Sequence, residues 1–168
     1  MAIRFAQDAG GRLTGTNSRD LLWGGDGADR IFGLDGADYL YGGYGDDRLD
    51  GGSGSDHLRG AAGSDRLWGG SGADLLAGGS DADYFIFRAA DGPSADTVRD
   101  FTVGEDRLVL GGGLRVSASR WKDVDGDGDT DTILTLSNSG TIVLLGVDEP
   151  TGWGVAGPNA MALSDLLA

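Results

Sequence analysis

Bulky apolar residues recur one at a time, nine positions apart, at Leu22, Ile31, Leu40, Leu49, Leu58, Leu67, Leu76 and Phe85. Two positions before each stands an aspartate: Asp20, Asp29, Asp38, Asp47, Asp56, Asp65, Asp74 and Asp83. A register kept through eight rows marks a repeat architecture. Rows 24–32, 42–50, 51–59 and 69–77 fit G-G-x-G-x-D-x-(apolar)-x in full. Each row has a glycine-rich half of six residues, suited to tight turning because glycine tolerates positive φ. The remaining three residues predict a short strand whose middle side chain points inward and whose neighbours point outward.

Two rows then make one circuit of turn, strand, turn, strand, and rows eighteen residues apart stack at about 4.8 Å. This places Asp20 over Asp38, Asp56 and Asp74, and Asp29 over Asp47, Asp65 and Asp83. Calcium takes carboxylate and carbonyl oxygens at about 2.3–2.6 Å, so an ion between two stacked turns reaches both carboxylates. The candidate ligand set is the eight aspartates together with turn carbonyls at Gly25, Gly27, Gly36, Gly43, Gly45, Gly52, Gly54, Gly63, Gly70 and Gly72. Without metal the ladder is repulsive, by roughly 0.8 kcal/mol for each pair of charges about 5 Å apart in water and more near a low-dielectric surface. The competing reading is that the aspartates only form Asx turns. Turns alone do not require a ladder in register, which favours metal.

On these motifs the chain resembles the RTX (repeat-in-toxin) family, the calcium-binding C-terminal region of type I secreted bacterial proteins such as the serralysin-like proteases. The resemblance covers roughly residues 10 to 110. It implies an all-β fold: a right-handed parallel β-roll, a form of β-helix or solenoid, with a β-rich C-terminal cap. It also makes each row's aspartate a metal ligand. The expected organisation is a lead-in at 1–14, a roll at 15–87 and a capping region at 88–168 with a candidate secretion signal at 159–168. Four to six ions are expected in the roll. Departures fall at Leu34, Ala61 and Asp81, where glycines belong, and in row 15, which lacks both later glycines. The outer sites, touching Asp20 and Asp83, therefore conform least.

Composition sharpens this picture. Glycine supplies 33 of 168 residues, and of 27 acidic residues only Glu105 and Glu149 are glutamates, a bias toward short-armed ligands in turns. A net charge of −14 argues against nucleic acid, whose binding needs Lys and Arg. There is no cysteine, so metal would replace the disulfides of small secreted domains. No apolar run reaches membrane-spanning length. Residues 1–15 lack the core of a cleaved signal peptide, so the expectation is either an excised fragment or an export signal elsewhere. The ending Asp165-Leu166-Leu167-Ala168 is similar to the uncleaved signals of type I substrates, which implies type I secretion machinery as a partner and an extracellular location.

Beyond Tyr84 the period is lost. Tyr84 to Phe87 closes the last row, residues 96–101 and 106–110 read as strands, and residues 132–136 and 141–145 read as a hairpin. One short helix is expected near Ala160. The stretch Asp123-Val124-Asp125-Gly126-Asp127-Gly128-Asp129 opens like an EF-hand loop, but Leu134 stands where the bidentate glutamate belongs. It reads either as one further calcium loop, using Asp123, Asp125, Asp127 and one of Asp129 or Asp131, or as a solvated acidic turn.

Outward positions on one sheet predict a column of Arg12, Arg30, Arg48 and Arg66, with Phe32, Asp50 and Trp68 beside it. This either offsets the aspartate turns or holds an anionic, alginate-like polysaccharide through arginine–carboxylate pairing. The other sheet exposes Leu21, Trp23, Tyr39, Tyr41, His57 and Leu75, a patch expected to lie under the cap or a neighbouring domain. His57 is the lone histidine and has no catalytic partner at a suitable spacing; no H-E-x-x-H or phosphate loop occurs. The chain is thus expected to be non-catalytic, with any catalysis in an attached upstream domain. The implied function is a module that folds on calcium outside the cell and supports secretion and folding of that partner. Extracellular-type sites bind at about 10⁻⁴–10⁻³ M, and five or six of them at ten times Kd add roughly 7–8 kcal/mol, the whole stability of a typical domain.

Overall fold

A computed structural model of the chain describes residue 1, residues 3–5 and residues 10–147. The expected secretion signal at 159–168 and the helix near Ala160 lie outside the described residues. Ten strands precede residue 89: β1 (Ile3–Phe5), β2 (Arg12–Thr14), β3 (Leu21–Asp26), β4 (Arg30–Asp35), β5 (Tyr39–Tyr44), β6 (Arg48–Ser53), β7 (His57–Ala62), β8 (Arg66–Ser71), β9 (Leu75–Ser80) and β10 (Tyr84–Arg88). A single 3-10 turn (Ala89–Asp91) follows, then β11 (Ala95–Val98), β12 (Arg107–Gly111), β13 (Val116–Lys122), β14 (Asp131–Leu136) and β15 (Thr141–Leu144).

Odd-numbered strands β1 to β11 form one sheet and even-numbered strands β2 to β12 the other, each pair parallel. Leu22 pairs with Leu40, Leu58 and Leu76 in turn, and Ile31 with Leu49, Leu67 and Phe85, so the stacking step is eighteen residues. The chain is a parallel β-roll. Parallel pairing extends on both sides of residues 15–87: β1 and β2 precede it, and β11 and β12 add one further coil.

The sole inward side chain of each strand's apolar half is fully buried, from Leu22 at 0% exposure to Phe85 at 0%. Those residues form one continuous core between the sheets, which Val98, Phe101, Leu108, Leu134 and Ile142 prolong into the C-terminal region. The strands are longer than the three residues expected. Each runs six residues through most of the roll because the second and third positions of the next row also pair across coils, as Gly25 does with Gly43 and Asp26 with Tyr44. Leu34, Ala61 and Asp81 adopt φ of 81°, 93° and 76°, the same left-handed backbone that glycine takes in the other rows. The coil geometry imposes the conformation and the side chain accommodates it.

The hairpin of β14 and β15 attaches edge-on, β15 pairing parallel to β11 and β13 antiparallel to β14. It lengthens the odd-numbered sheet and does not lie across its outer face. Trp23 and Tyr39 stay 45% and 38% exposed, so among the described residues the hairpin does not cover the patch expected to lie under the cap or a neighbouring domain. Tyr39 stacks on His57 at 4.6 Å and Trp23 packs on Tyr41 at 4.6 Å, a ring row supported by the in-register strands.

Candidate metal centre

All eight repeat aspartates are at most 3% exposed. Their placement follows from the stacking. One carboxylate oxygen, Oδ1, accepts the backbone N–H of the aspartate one coil earlier: Asp20 N–H to Asp38 at 2.6 Å, Asp29 to Asp47 at 2.7 Å, Asp38 to Asp56 at 2.7 Å, Asp47 to Asp65 at 2.8 Å, Asp56 to Asp74 at 2.9 Å and Asp65 to Asp83 at 2.9 Å. Each aspartate thereby locks two coils together.

The second oxygen behaves differently. Among the described residues, Oδ2 of Asp29, Asp38, Asp47, Asp56, Asp65, Asp74 and Asp83 is buried and has no hydrogen-bond partner. A buried carboxylate oxygen left without a partner is strongly unfavourable. Burial foremost, with the adjacent ladder aspartates adding to it, pushes the carboxyl groups of Asp47 and Asp56 up to about 6 and those of Asp65, Asp74 and Asp83 up to about 7. Burial also raises Asp29 and Asp38. The N–H bonds to Oδ1 act in the opposite direction and are outweighed.

The orphaned oxygens lie close against the first glycines of the rows. A Cβ built on Gly51 would lie 2.5 Å from Asp56 Oδ2 and 2.6 Å from the carbonyl oxygen of Gly69, one coil further on. Gly24 and Gly33 are bounded in the same way by Asp29 and Asp38 and by the carbonyls of Gly42 and Gly51. Glycine at the first position permits this approach, since a Cβ there would collide with the carboxylate oxygen and the carbonyl oxygen. An all-oxygen set with one carboxylate and a peptide carbonyl fits a hard divalent cation such as calcium. The ten turn glycines named from the sequence all have φ between 87° and 137°, so they shape the turns. The first glycines of the rows, which sequence reasoning passed over, border the orphaned oxygens.

Asp20 differs from the seven. Its Oδ2 accepts the Thr16 N–H at 2.6 Å and the Thr16 hydroxyl at 2.8 Å, because row 15 carries Thr16 where a glycine belongs. Two further aspartates join the ladder unannounced by the repeat. Asp96 and Asp106, each 3% exposed, accept the N–H groups of Asp74 and Asp83 at 3.0 and 2.9 Å. The signal for them was present: Asp96-Thr97-Val98 and Asp106-Arg107-Leu108 keep the aspartate-x-apolar half of a row without its glycines.

In the acidic loop, one oxygen each from Asp123, Asp125 and Asp131 lies within 4.8 Å of the others. Asp127 falls outside this group and accepts the Asp129 N–H at 2.9 Å. Asp131 is buried at 1% exposure and both its oxygens are used, by the N–H groups of Val124 at 2.7 Å and Gly146 at 2.9 Å. It anchors the loop to the strand that follows.

On the even-numbered sheet, Arg12, Arg30, Arg48 and Arg66 pair in register and are exposed. Arg12 lies over Phe32 at 4.7 Å and Arg66 over Tyr84 at 4.9 Å. Trp68 donates its indole N–H to Asp91 at 2.9 Å beneath the Arg88 guanidinium, 3.8 Å from the ring. No described helix is long and apolar enough to cross a membrane.

The RTX calcium-binding nonapeptide repeat (4 copies) matches residues 8–40, 23–58 and 50–85. No curated protein matches the chain. Among solved structures, the chain is similar to the AlgE6R3 subunit of the mannuronan C5-epimerase from Azotobacter vinelandii, at 24% identity over 90% of this chain and 84% of that one, TM-score 0.40. It is also similar to the extracellular lipase LipA from Serratia marcescens, at 18% identity over 87% of this chain and 38% of that one, TM-score 0.39. The roll with its two aspartate ladders thus belongs to the RTX calcium-binding repeat family.

Proposed function

We propose that this chain is a calcium-responsive, non-catalytic module that is unfolded where calcium is scarce and folds outside the cell, where it supports secretion and folding of an attached protein. The observation that carries the reading is the set of seven buried carboxylate oxygens without partners. Burial raises all seven, Asp47 and Asp56 to about 6 and Asp65, Asp74 and Asp83 to about 7, so ionised groups are disfavoured in the ladder at neutral pH. Bound calcium supplies positive charge and oxygen coordination at those positions. The protein's part is to hold each Oδ1 on a neighbouring coil and, with glycine at the first row position, to keep side chains away from Oδ2. Export in the unfolded state then needs no separate unfolding step, and the calcium concentration outside the cell sets the direction of folding. RTX repeats occur in secreted proteins of bacteria, which is consistent with this. Circular dichroism in EDTA followed by calcium tests the reading. A β-sheet signal absent in EDTA and restored by millimolar calcium supports it; a fully β-structured form in EDTA at neutral pH refutes it.

A second reading rests on the exposed, in-register arginine column, whose spacing of one guanidinium per coil suits a polymer carrying repeated carboxylates. Calorimetric titration of a polyuronate against the wild type and an Arg30/Arg48/Arg66→Ala variant tests it. Binding lost in the variant supports the column as a polysaccharide site. Equal, negligible heats in both remove the idea.

A further inference from the structure

Both aspartate ladders are closed at their C-terminal ends, and the one that starts at Asp20 is closed at its start as well. Asp96 accepts the Ser94 hydroxyl at 2.6 Å and Asp106 accepts the Thr102 N–H at 2.7 Å on Oδ2, as Thr16 closes Asp20 at the opposite end. One coil before these closures stands Asp83, 1% exposed, with its Oδ2 unpartnered. Its row begins at Gly78. In inner rows the carbonyl oxygen of the next coil's glycine bounds the space beside the first glycine, as Gly69 does for Gly51 and Gly78 for Gly60. Beside Gly69 and Gly78, the first glycines of the last two rows, the three nearest atoms to a Cβ all belong to Asp74 and to Asp83 respectively. Next to Gly78 the following coil supplies a carboxylate: the pairing of Val98 with Leu76 puts Asp100 at the place of the next row's first glycine, and its Oδ1 accepts the Gly78 N–H at 2.9 Å.

We propose that Asp100, a residue outside the repeats, completes a cation site with Asp83, so that the last calcium of this column joins the roll to the segment between β11 and β12. This inference rests on the calcium reading above. A carboxylate in place of a peptide carbonyl adds negative charge, and calcium affinity rises with ligand charge. The site is therefore the tightest of its column and fills first. Phe101, the next residue, is buried at 6% exposure against Phe85, ring centroids 5.9 Å apart, so an ion held by Asp100 seats Phe101 in the core. Calcium thus orders the C-terminal extension of the roll together with its last coil.

Native mass spectrometry and hydrogen exchange during a calcium titration test this on the full chain. Asp100→Asn keeps an acceptor for the Gly78 N–H and removes the charge. The variant is expected to bind one ion fewer at saturation. Protection of β11 and β15, which in the wild type arises at lower calcium than that of β5, should shift to roughly tenfold higher calcium, with β5 little moved. Asp100→Glu should restore the ion count, which separates ligand loss from a folding defect. An unchanged count and unchanged order of protection in Asp100→Asn, with the wild type binding calcium normally, overturns this inference alone. A wild type that binds no calcium overturns the parent reading as well.

Discussion

Replacing Asp56 by asparagine separates a metal ladder from a set of ordinary turns, because the two accounts give effects of different sign. Asp56 is 0% exposed, accepts the Asp38 N–H at 2.7 Å on Oδ1 and leaves Oδ2 unpartnered. Asparagine is isosteric and keeps the acceptor, so the turn and the inter-coil bond survive. What changes is charge. With calcium present the variant loses a ligand. The loss of one site occupied at ten times Kd amounts to about 1.4 kcal/mol. In EDTA the substitution removes a charge that repels the ladder neighbours Asp38 and Asp74. At a stacking distance near 5 Å that repulsion is roughly 1–3 kcal/mol per neighbour, the range between bulk water and a protein surface. The calcium-free roll should therefore be stabilised while the calcium-loaded roll is destabilised. Urea unfolding followed by tryptophan fluorescence in excess calcium, and folding by trimethylamine oxide in EDTA, measure the two limbs. Destabilisation of equal size in both conditions would mean that Asp56 serves only as a turn acceptor, and would refute the reasoning.

Acidity should substitute in part for calcium. In the roll Asp65, Asp74 and Asp83 titrate near 7 and Asp47 and Asp56 near 6, against about 3.9 in an unfolded chain. The folded form then binds protons that the unfolded form releases, so calcium-free stability is highest below about pH 4 and falls as pH rises toward 7. Circular dichroism in EDTA should show more β-structure at pH 5 than at pH 8, and the reverse order would contradict the burial of these groups. Ala61→Gly should stabilise the loaded roll by about 1 kcal/mol by relieving a side chain held at φ 93°, whereas Gly43→Ala, at φ 120° and against the Gly25 carbonyl, should destabilise it; thermal unfolding in calcium reads both. Leu67→Ala removes a 0% exposed side chain between Leu49 and Phe85 and should cost about 2–5 kcal/mol in the same assay.

The roll was legible because its stacking period is written directly into the chain. An aspartate followed by one apolar residue, repeated every nine positions, leaves few ways to bury a single side chain per strand. The same logic reaches Asp96 and Asp106, but only if the glycine half of the row is ignored, since their preceding loops lengthen the coil to twenty-two and twenty-three residues. Asp100 was hidden for another reason. Its relation to Gly78 depends on where a longer coil returns, which no local motif encodes. The acidic loop shows the limit of motif reading: spacing suggested Asp123, Asp125 and Asp127 with one of Asp129 or Asp131, and strand β14 brings Asp131, rather than Asp127, beside the first two. The fate of the aromatic face depended on how the C-terminal hairpin docks, and an edge strand such as β11 accepts a partner as readily as a face does.

The most direct test of the account is a crystal structure grown in abundant calcium, with anomalous scattering used to locate the ions. The account predicts density between successive coils beside Oδ2 of the seven orphaned aspartates, bordered by the first glycines of the rows. Carboxylates turned out toward water, with no ion among them, would contradict it.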